Sequence, residues 1–318
     1  MPQKPKVSII VVSYNTREMT LECLRSVVAE TRSDFELIVV DNASEDGSAD
    51  AIRREAPQAH LMAETTNHGF ALANNMAAEI ATGDYILLLN PDTIVLDGAI
   101  DKILAFAEKR PGARMWGGRT LFANGKLNAT SCYRRMTVWS LFCQAMGLTS
   151  AFRKSALFNP ESYGGWPRDT EREVDIVTGC FLLIKHEDWH ALGGFNTQYK
   201  MYGEDADLSL RARDLGARPR ITPDAVIVHH LGASEKVRAD KLVRLLNAKT
   251  TLIDDHFAAS KVWLAKRLLN LWPLSRAILN LAVGRAETAK VWYSVWKRSS
   301  EWRDGWPTTQ VPVDGKAG

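Results

Sequence analysis

This chain of 318 residues has no uninterrupted apolar run of the ~18 to 20 residues needed to span a bilayer, so an integral membrane protein is not expected. The N-terminus, MPQKPKVSIIVVSYN, lacks a small-residue cleavage site and reads as a first strand rather than a signal peptide. Cysteine is scarce. Cys23, Cys132, Cys143 and Cys180 show no CxxC spacing, which favours buried free thiols in a reducing cytosol over a disulfide frame or a zinc site. One-signed charge is missing as well, and a net charge of +3 leaves no global footprint for a nucleic-acid partner. The turn after the first strand, VVSYNTRE, contains no GxGxxG, which weakens a dinucleotide oxidoreductase, and no Gly-rich, Lys-bearing loop, which weakens a sugar nucleotidyltransferase. Internal repeats and low-complexity tracts are absent.

What remains is an ordinary globular composition, 46% apolar and 24% charged, long enough for one large domain or two small ones. Residues 7 to 118 alternate strand and helix signals. VSIIVV, FELIVV and YILLL are continuous apolar runs, typical of parallel strands buried on both faces, and Thr16 is placed to cap the first helix. The pattern predicts a doubly wound, mostly parallel α/β sheet. From 119 to about 172 the periodicity is lost apart from one short amphipathic helix near 137 to 147, and an excursion of that length is usually functional. EVDIVTGCFLLIK then reads as a strand long enough to serve two sheets, EDADLSLRARDLG as a helix with acids at its start, and AVIVHH as the last strand.

Three polar clusters fall where strands of this pattern end: Val40-Asp41-Asn42, Asn90-Pro91-Asp92 and Val228-His229-His230. Open α/β sheets bind ligands at that carboxyl edge. Asp41 can accept hydrogen bonds from a base or a ribose, although taken alone a helix or turn cap explains it better. Asp92, fixed by a proline turn, can hold Mg2+ or Mn2+ jointly with substrate phosphates, against the plainer reading of a type I turn. His229 is a third ligand or a satisfied core histidine, and strand alternation lets only one of His229 and His230 face the site. A fourth cluster, Gly203-Glu204-Asp205, opens a helix whose dipole stabilises acids without any catalytic role. Tyr199 and Tyr202 nearby point instead to a shaped pocket around a carboxylate able to take a proton from a hydroxyl. Asp207 is expected to pair with Arg211.

VSIIVVSYN, VDNASEDGS, N-x-GFA-x-x-NN, LLLNPD, TGCFLLIK…GGF, GEDADLSLR and VHHLGAS, in this order over residues 6 to 235, resemble the family 2 glycosyltransferases, specifically their rhamnosyltransferase-like branch. The resemblance implies a GT-A fold, a divalent metal and inverting transfer of rhamnose or another hexose from a nucleoside-diphosphate sugar to a glycan or lipid-linked acceptor. It also implies roles. Asp205 matches the catalytic base and Glu204 the residue that positions base or acceptor. Ser13, Tyr14, Asp41, Asn67 and Asn90 match nucleotide-pocket positions, and Asp92 and His229 the metal site. Asn90 stands where the family's DxD motif has its first Asp. The alternative, a non-catalytic glycan- or nucleotide-binding protein on the same fold, predicts loss of Asp205 or Asp92, and both are present. Expected boundaries are 1–239 for the GT-A domain, with a nucleotide-sugar half at 1–118 and an acceptor half at 119–239, and 240–318 for a helical extension.

That extension is divided near its middle by Pro273 and carries Trp263, Trp272, Trp292, Trp296 and Trp302. Residues 261 to 303 hold nine Lys/Arg and two Asp/Glu. Such a pair of helices suits an anionic bilayer interface, so the expected location is the cytoplasm, peripheral on the inner face of the cell membrane. A helical lid with Trp as its core is the competing reading.

Overall fold

A computed structural model describes residues 4–230 and 238–307; the LGAS segment at 231 to 234 lies outside the described residues. β1 (Val7–Ser13), β2 (Phe35–Asn42), β3 (His60–Glu64) and β4 (Tyr85–Leu89) run parallel in the spatial order 3-2-1-4. They are joined through α1 (Arg17–Glu30), α2 (Ser48–Glu55) and α3 (Gly69–Ile80). Alternate side chains go to opposite faces. Ile9, Val11, Leu37, Val39 and Leu87 join one core, and Ile10, Val12, Ile38, Val40 and Leu88 a second. Burial on both faces is why these strands read as unbroken apolar runs. Thr16 precedes α1 without capping it; its hydroxyl lies 3.2 Å from that of Thr20.

Beyond β4 come β5 (Thr93–Leu96), α4 (Ala99–Lys109), β6 (Met115–Leu121) and the short strands β7 (Leu127–Asn128) and β8 (Cys132–Tyr133). After α5 (Val138–Ala145) and α6 (Leu148–Ala151) come β9 (Arg172–Glu173), β10 (Ile176–Val177), β11 (Phe181–Lys185), α7 (His186–Leu192), α8 (Glu204–Asp214) and β12 (Arg220–His229). The sheet continues β4-β11-β6-β12-β5, with β11 antiparallel to both neighbours and β12 parallel to β6. The run EVDIVTGCFLLIK does serve two sheets: β10 pairs with β8 in a separate ribbon, β11 enters the main sheet, and the chain turns between them at Thr178-Gly179-Cys180. α5 begins on a reciprocal capping box in which Thr137 and Ser140 each accept the other's backbone N–H.

The C-terminal region is helical: α9 (Arg238–His256), α10 (Ala259–Ala282) and α11 (Ala286–Lys297). Pro273 does not divide it. α10 runs through the proline, which is buried in the helix packing, and the breaks fall at Phe257-Ala258 and at Gly284, whose φ of 75° suits a residue without Cβ. The five tryptophans do not share an exposed face either. Trp292 and Trp302 are buried, Trp272 and Trp296 half-buried, and only Trp263 of the five is exposed. Trp302 packs in a core with Leu141, Val243, Leu246, Ile253, Leu269 and Val295, and its indole N–H donates to the Val295 carbonyl at 3.1 Å. Among the described residues no helix is long and apolar enough to cross a membrane.

Candidate active site

Strand register assembles the expected clusters. Ser13 and Asp41 are direct partners across β1 and β2, at the carboxyl edge. Ser13 is fully buried, its hydroxyl 2.8 Å from that of Thr20, whereas Tyr14 is exposed. Burial pushes the Asp41 carboxyl above the usual range despite a hydrogen bond from Ser44, and its Oδ1 has no protein partner. A buried acceptor left open in this way is available to a ligand's donor. Asn42 acts as the strut behind it: its Nδ2 donates to Asn67 Oδ1 at 3.1 Å and its Oδ1 accepts the His68 N–H at 2.8 Å. Asn67 Oδ1 also accepts the Gly69 N–H at 2.8 Å, which shapes the loop opening α3.

At the end of β4 the register Phe181↔Leu89 sets Cys180 beside Asn90, whose N–H donates to the Cys180 carbonyl at 3.2 Å. On the other side β12 pairs with β5 so that His229 faces Thr93. His229 Nε2 consequently lies 3.2 Å from Asp92 Oδ1 and 3.4 Å from Asn90 Nδ2. Burial opposes an imidazolium here, but hydrogen bonds to Asp92 and Cys180 outweigh it and raise His229 to about 10. Asp92 and Asn90 offer hard oxygen donors, few enough to need phosphate oxygens as co-ligands of Mg2+ or Mn2+, and His229, a borderline donor that would have to give up its proton to bind, favours Mn2+.

Glu204 and Asp205 start α8. Gly203 before them has φ 90°, and a Cβ there would stand 2.8 Å from Tyr199 Cδ1, so glycine is required. Asp205 Oδ2 accepts the Gly179 N–H at 3.1 Å and Oδ1 accepts the Ala206 N–H at 2.7 Å. Burial pushes Asp205 up against the opposing pull of these amides. Glu204 is buried with Oε2 unpartnered, and burial together with repulsion from Asp205 raises it to about 8. The amides favour charge on Asp205 and none holds Glu204 Oε2, so Asp205 is the member of the pair suited to act as a basic carboxylate.

Consecutive residues of one turn hold both ends of this site, Gly179 the acid pair and Cys180 the Asn90 edge. The sequence marked the turn only as part of a motif; its signal was a Gly between two apolar runs. Tyr133 was missed also, and its hydroxyl is held protonated by burial and by the charge of Asp205.

One expectation changes. Tyr199 is not a pocket wall: it is buried against Ile176, Ala206, Leu210 and Leu252, and its hydroxyl donates to Asp255 Oδ2 at 2.7 Å. Three possible ligand groups for a cation, Asp207, Asp255 and His256, meet between α8 and α9 rather than at the sheet edge. Asp207 is already engaged there, by Arg211 at 2.7 Å as expected and by His256 at 2.9 Å, so this cluster is a clasp between helices. A cleft lined by Lys4, Lys6, Asp84, Tyr85, Lys185 and His186 opens at the amino ends of β1 and β4, the opposite edge from the acid pair. Its charges neutralise one another, as in Lys4–Asp84 at 2.7 Å.

Residues 8–159 match the family model described as Glycosyl transferase family 2 and form a glycosyltransferase domain of that family. It is 28% identical over 245 residues to the O-antigen biosynthesis protein RfbC of Myxococcus xanthus, covering 74% of this chain and 18% of that one. It is 26% identical over 242 residues to the N-acetylglucosaminyl-diphospho-decaprenol L-rhamnosyltransferase of Mycobacterium tuberculosis, covering 70% of this chain and 75% of the relative. The chain thus spans less than a fifth of the first relative and three quarters of the second. Among solved structures, a mannosyltransferase from Pyrobaculum calidifontis in complex with GDP-Man and Mn2+ superposes with a TM-score of 0.55 at 21% identity, over 94% of this chain and 81% of that one. That likeness establishes the GT-A-like fold.

Proposed function

We propose that this chain transfers a hexose, rhamnose among the candidates, from a nucleoside-diphosphate sugar to a hydroxyl of a lipid-linked or other cell-surface glycan acceptor, inverting the anomeric centre. The observation that carries the reading is the Gly179-Cys180 turn, which ties a basic carboxylate at Asp205 to the Asn90, Asp92 and His229 edge. Residues 1–118 receive the donor: Ser13, Tyr14, Asp41 and Asn67 lie where base and ribose would be held, and Asp41 keeps an open acceptor for them. Residues 119–239 receive the acceptor. Asp205 removes the acceptor proton as the hydroxyl attacks the anomeric carbon, the bond to the diphosphate oxygen breaks, and the diphosphate leaves with that electron pair. Glu204, raised to about 8, stays protonated, and burial makes the Asp205 carboxylate basic. A divalent cation held by Asp92 and His229, with Asn90 alongside, would neutralise charge on the departing diphosphate.

The GDP-Man and Mn2+ in the fold neighbour, and the diphospho-decaprenol acceptor in the relative's name, support the donor and acceptor classes. The test is release of nucleoside diphosphate from a panel of nucleotide sugars with Mg2+ or Mn2+, then NMR of the product's anomeric centre. Retained configuration overturns the single displacement. Absence of release with every donor and acceptor favours the non-catalytic binding protein instead.

A further inference from the structure

We propose that the corner where α5 and α6 meet the far end of α10 is a docking face for an anionic bilayer surface. The surface carries large apolar side chains in water: Met146, Phe152 and Leu157 on one side, Ile278, Leu281 and Val283 on the other, the last two each 66% exposed. The two groups flank the place where this corner meets α10. Arg276 Nη1 donates to Ser150 Oγ at 2.5 Å, and a Cβ at Gly147 would stand 2.8 Å from Leu279 Cδ1, so the α5–α6 corner is seated on α10. Apolar patches of this kind mark interaction sites.

Charge decides what covers it. Segments 138–158 and 259–298 together hold ten Lys/Arg and one Asp/Glu, a net +9 in a chain of net +3, so the remainder is −6. The one acid, Glu287, is taken by Lys290 at 2.8 Å. Arg276 is half-buried beside Arg153; burial first and then that second guanidinium depress its pKa, and its Nε has no partner. Neither arginine makes an ion pair among the described residues. Lys266 is taken by Asp254 and Arg298 by Asp240 and Glu301, but the basic excess remains, and contact with a second copy would bring like charges together, whereas anionic headgroups complement them. No described helix is long and apolar enough to span a membrane, so the contact proposed is with the bilayer surface, the α10–α11 turn leading. This replaces the row of tryptophans expected from the sequence. It deepens the reading of a lipid-linked acceptor, yet it rests on surface outside the active site.

The test uses the full chain in flotation assays with phosphatidylcholine vesicles, with and without phosphatidylglycerol. Binding is expected only with the anionic lipid and weakened by salt. Arg153→Gln with Lys154→Gln should reduce it by roughly twentyfold, about fivefold per charge, equivalent to about 1 kcal/mol each. Leu281→Asn with Val283→Asn should abolish it, and because both side chains are exposed the fold should survive, checked by thermal melting. Unchanged binding by either variant, no binding by the folded parent chain, or a dimer in light scattering that the Asn pair dissociates would each overturn the proposal. Nucleotide-sugar titration without lipid separates the two readings: vesicle binding without donor binding leaves the docking face standing and removes the transfer reading.

Discussion

Replacing Glu204 by Gln is predicted to make the protein more stable at neutral pH while leaving the acid limb of its base in place. The carboxyl is raised from 4.5 in the unfolded chain to about 8 in the fold, by burial and then by Asp205. The folded protein therefore holds this proton more tightly than the unfolded chain, so the associated stability is complete below about pH 4.5 and is lost as pH rises toward about 8. At pH 7 the unfolded chain gains about 3 kcal/mol by releasing the proton, at about 1.4 kcal/mol per pH unit. Gln titrates nowhere in this range. The difference in Tm between variant and parent should accordingly grow by roughly 5 °C between pH 5 and pH 7.5. Because Gln and protonated Glu both leave a donor in the same buried place, the slope and not the offset is diagnostic. In transfer assays the acid limb of kcat should stay in place, since Gln and a protonated Glu204 present the same neutral neighbour to Asp205. Parallel melting curves for the two proteins across this range would falsify the argument.

Asp205→Asn should lower kcat by ~10²- to 10⁴-fold while donor affinity stays nearly constant, because the base acts on the acceptor proton and not on the nucleotide; the single Asn oxygen can accept only one of the Gly179 and Ala206 N–H groups. Asp92→Ala should behave otherwise, weakening donor binding as well as turnover, and adding chelator to that variant should change nothing further; an affinity indifferent to both points to metal-free binding. Trp302→Ala should destabilise by ~3 to 5 kcal/mol in denaturant titration, since the indole is 1% exposed; an effect below ~1 kcal/mol would mean that the tail packs elsewhere.

The parallel half of the sheet could be read from the sequence because β1, β2 and β4 are buried on both faces, and such strands advertise themselves as apolar runs. The carboxyl-edge clusters could be placed from those runs. What stayed hidden depended on pairing between segments far apart. Nothing in TGCFLLIK says that β11 inserts antiparallel between β4 and β6, and only that register brings Cys180 to Asn90 and Gly179 to Asp205. Tyr199 misled because an aromatic near a carboxylate suits a pocket and a core equally. The tryptophans of the tail posed the same ambiguity, since an interfacial helix and a packed bundle both place aromatics beside Lys and Arg. Pro273 signalled a break that packing overrode.

The clasp of Asp207, Arg211, His256, Tyr199 and Asp255 binds the underside of α8 to α9. The composition changes near residue 239, but the helix that presents Glu204 and Asp205 leans on α9, which lies almost wholly past that position. A shortened chain ending there would leave Asp207 and Tyr199 without their partners and open the back wall of its own acid pair to water. The extension is thus masonry rather than an appendage. Any lipid surface that steadied α10 would, through α9, be steadying the floor on which the base stands.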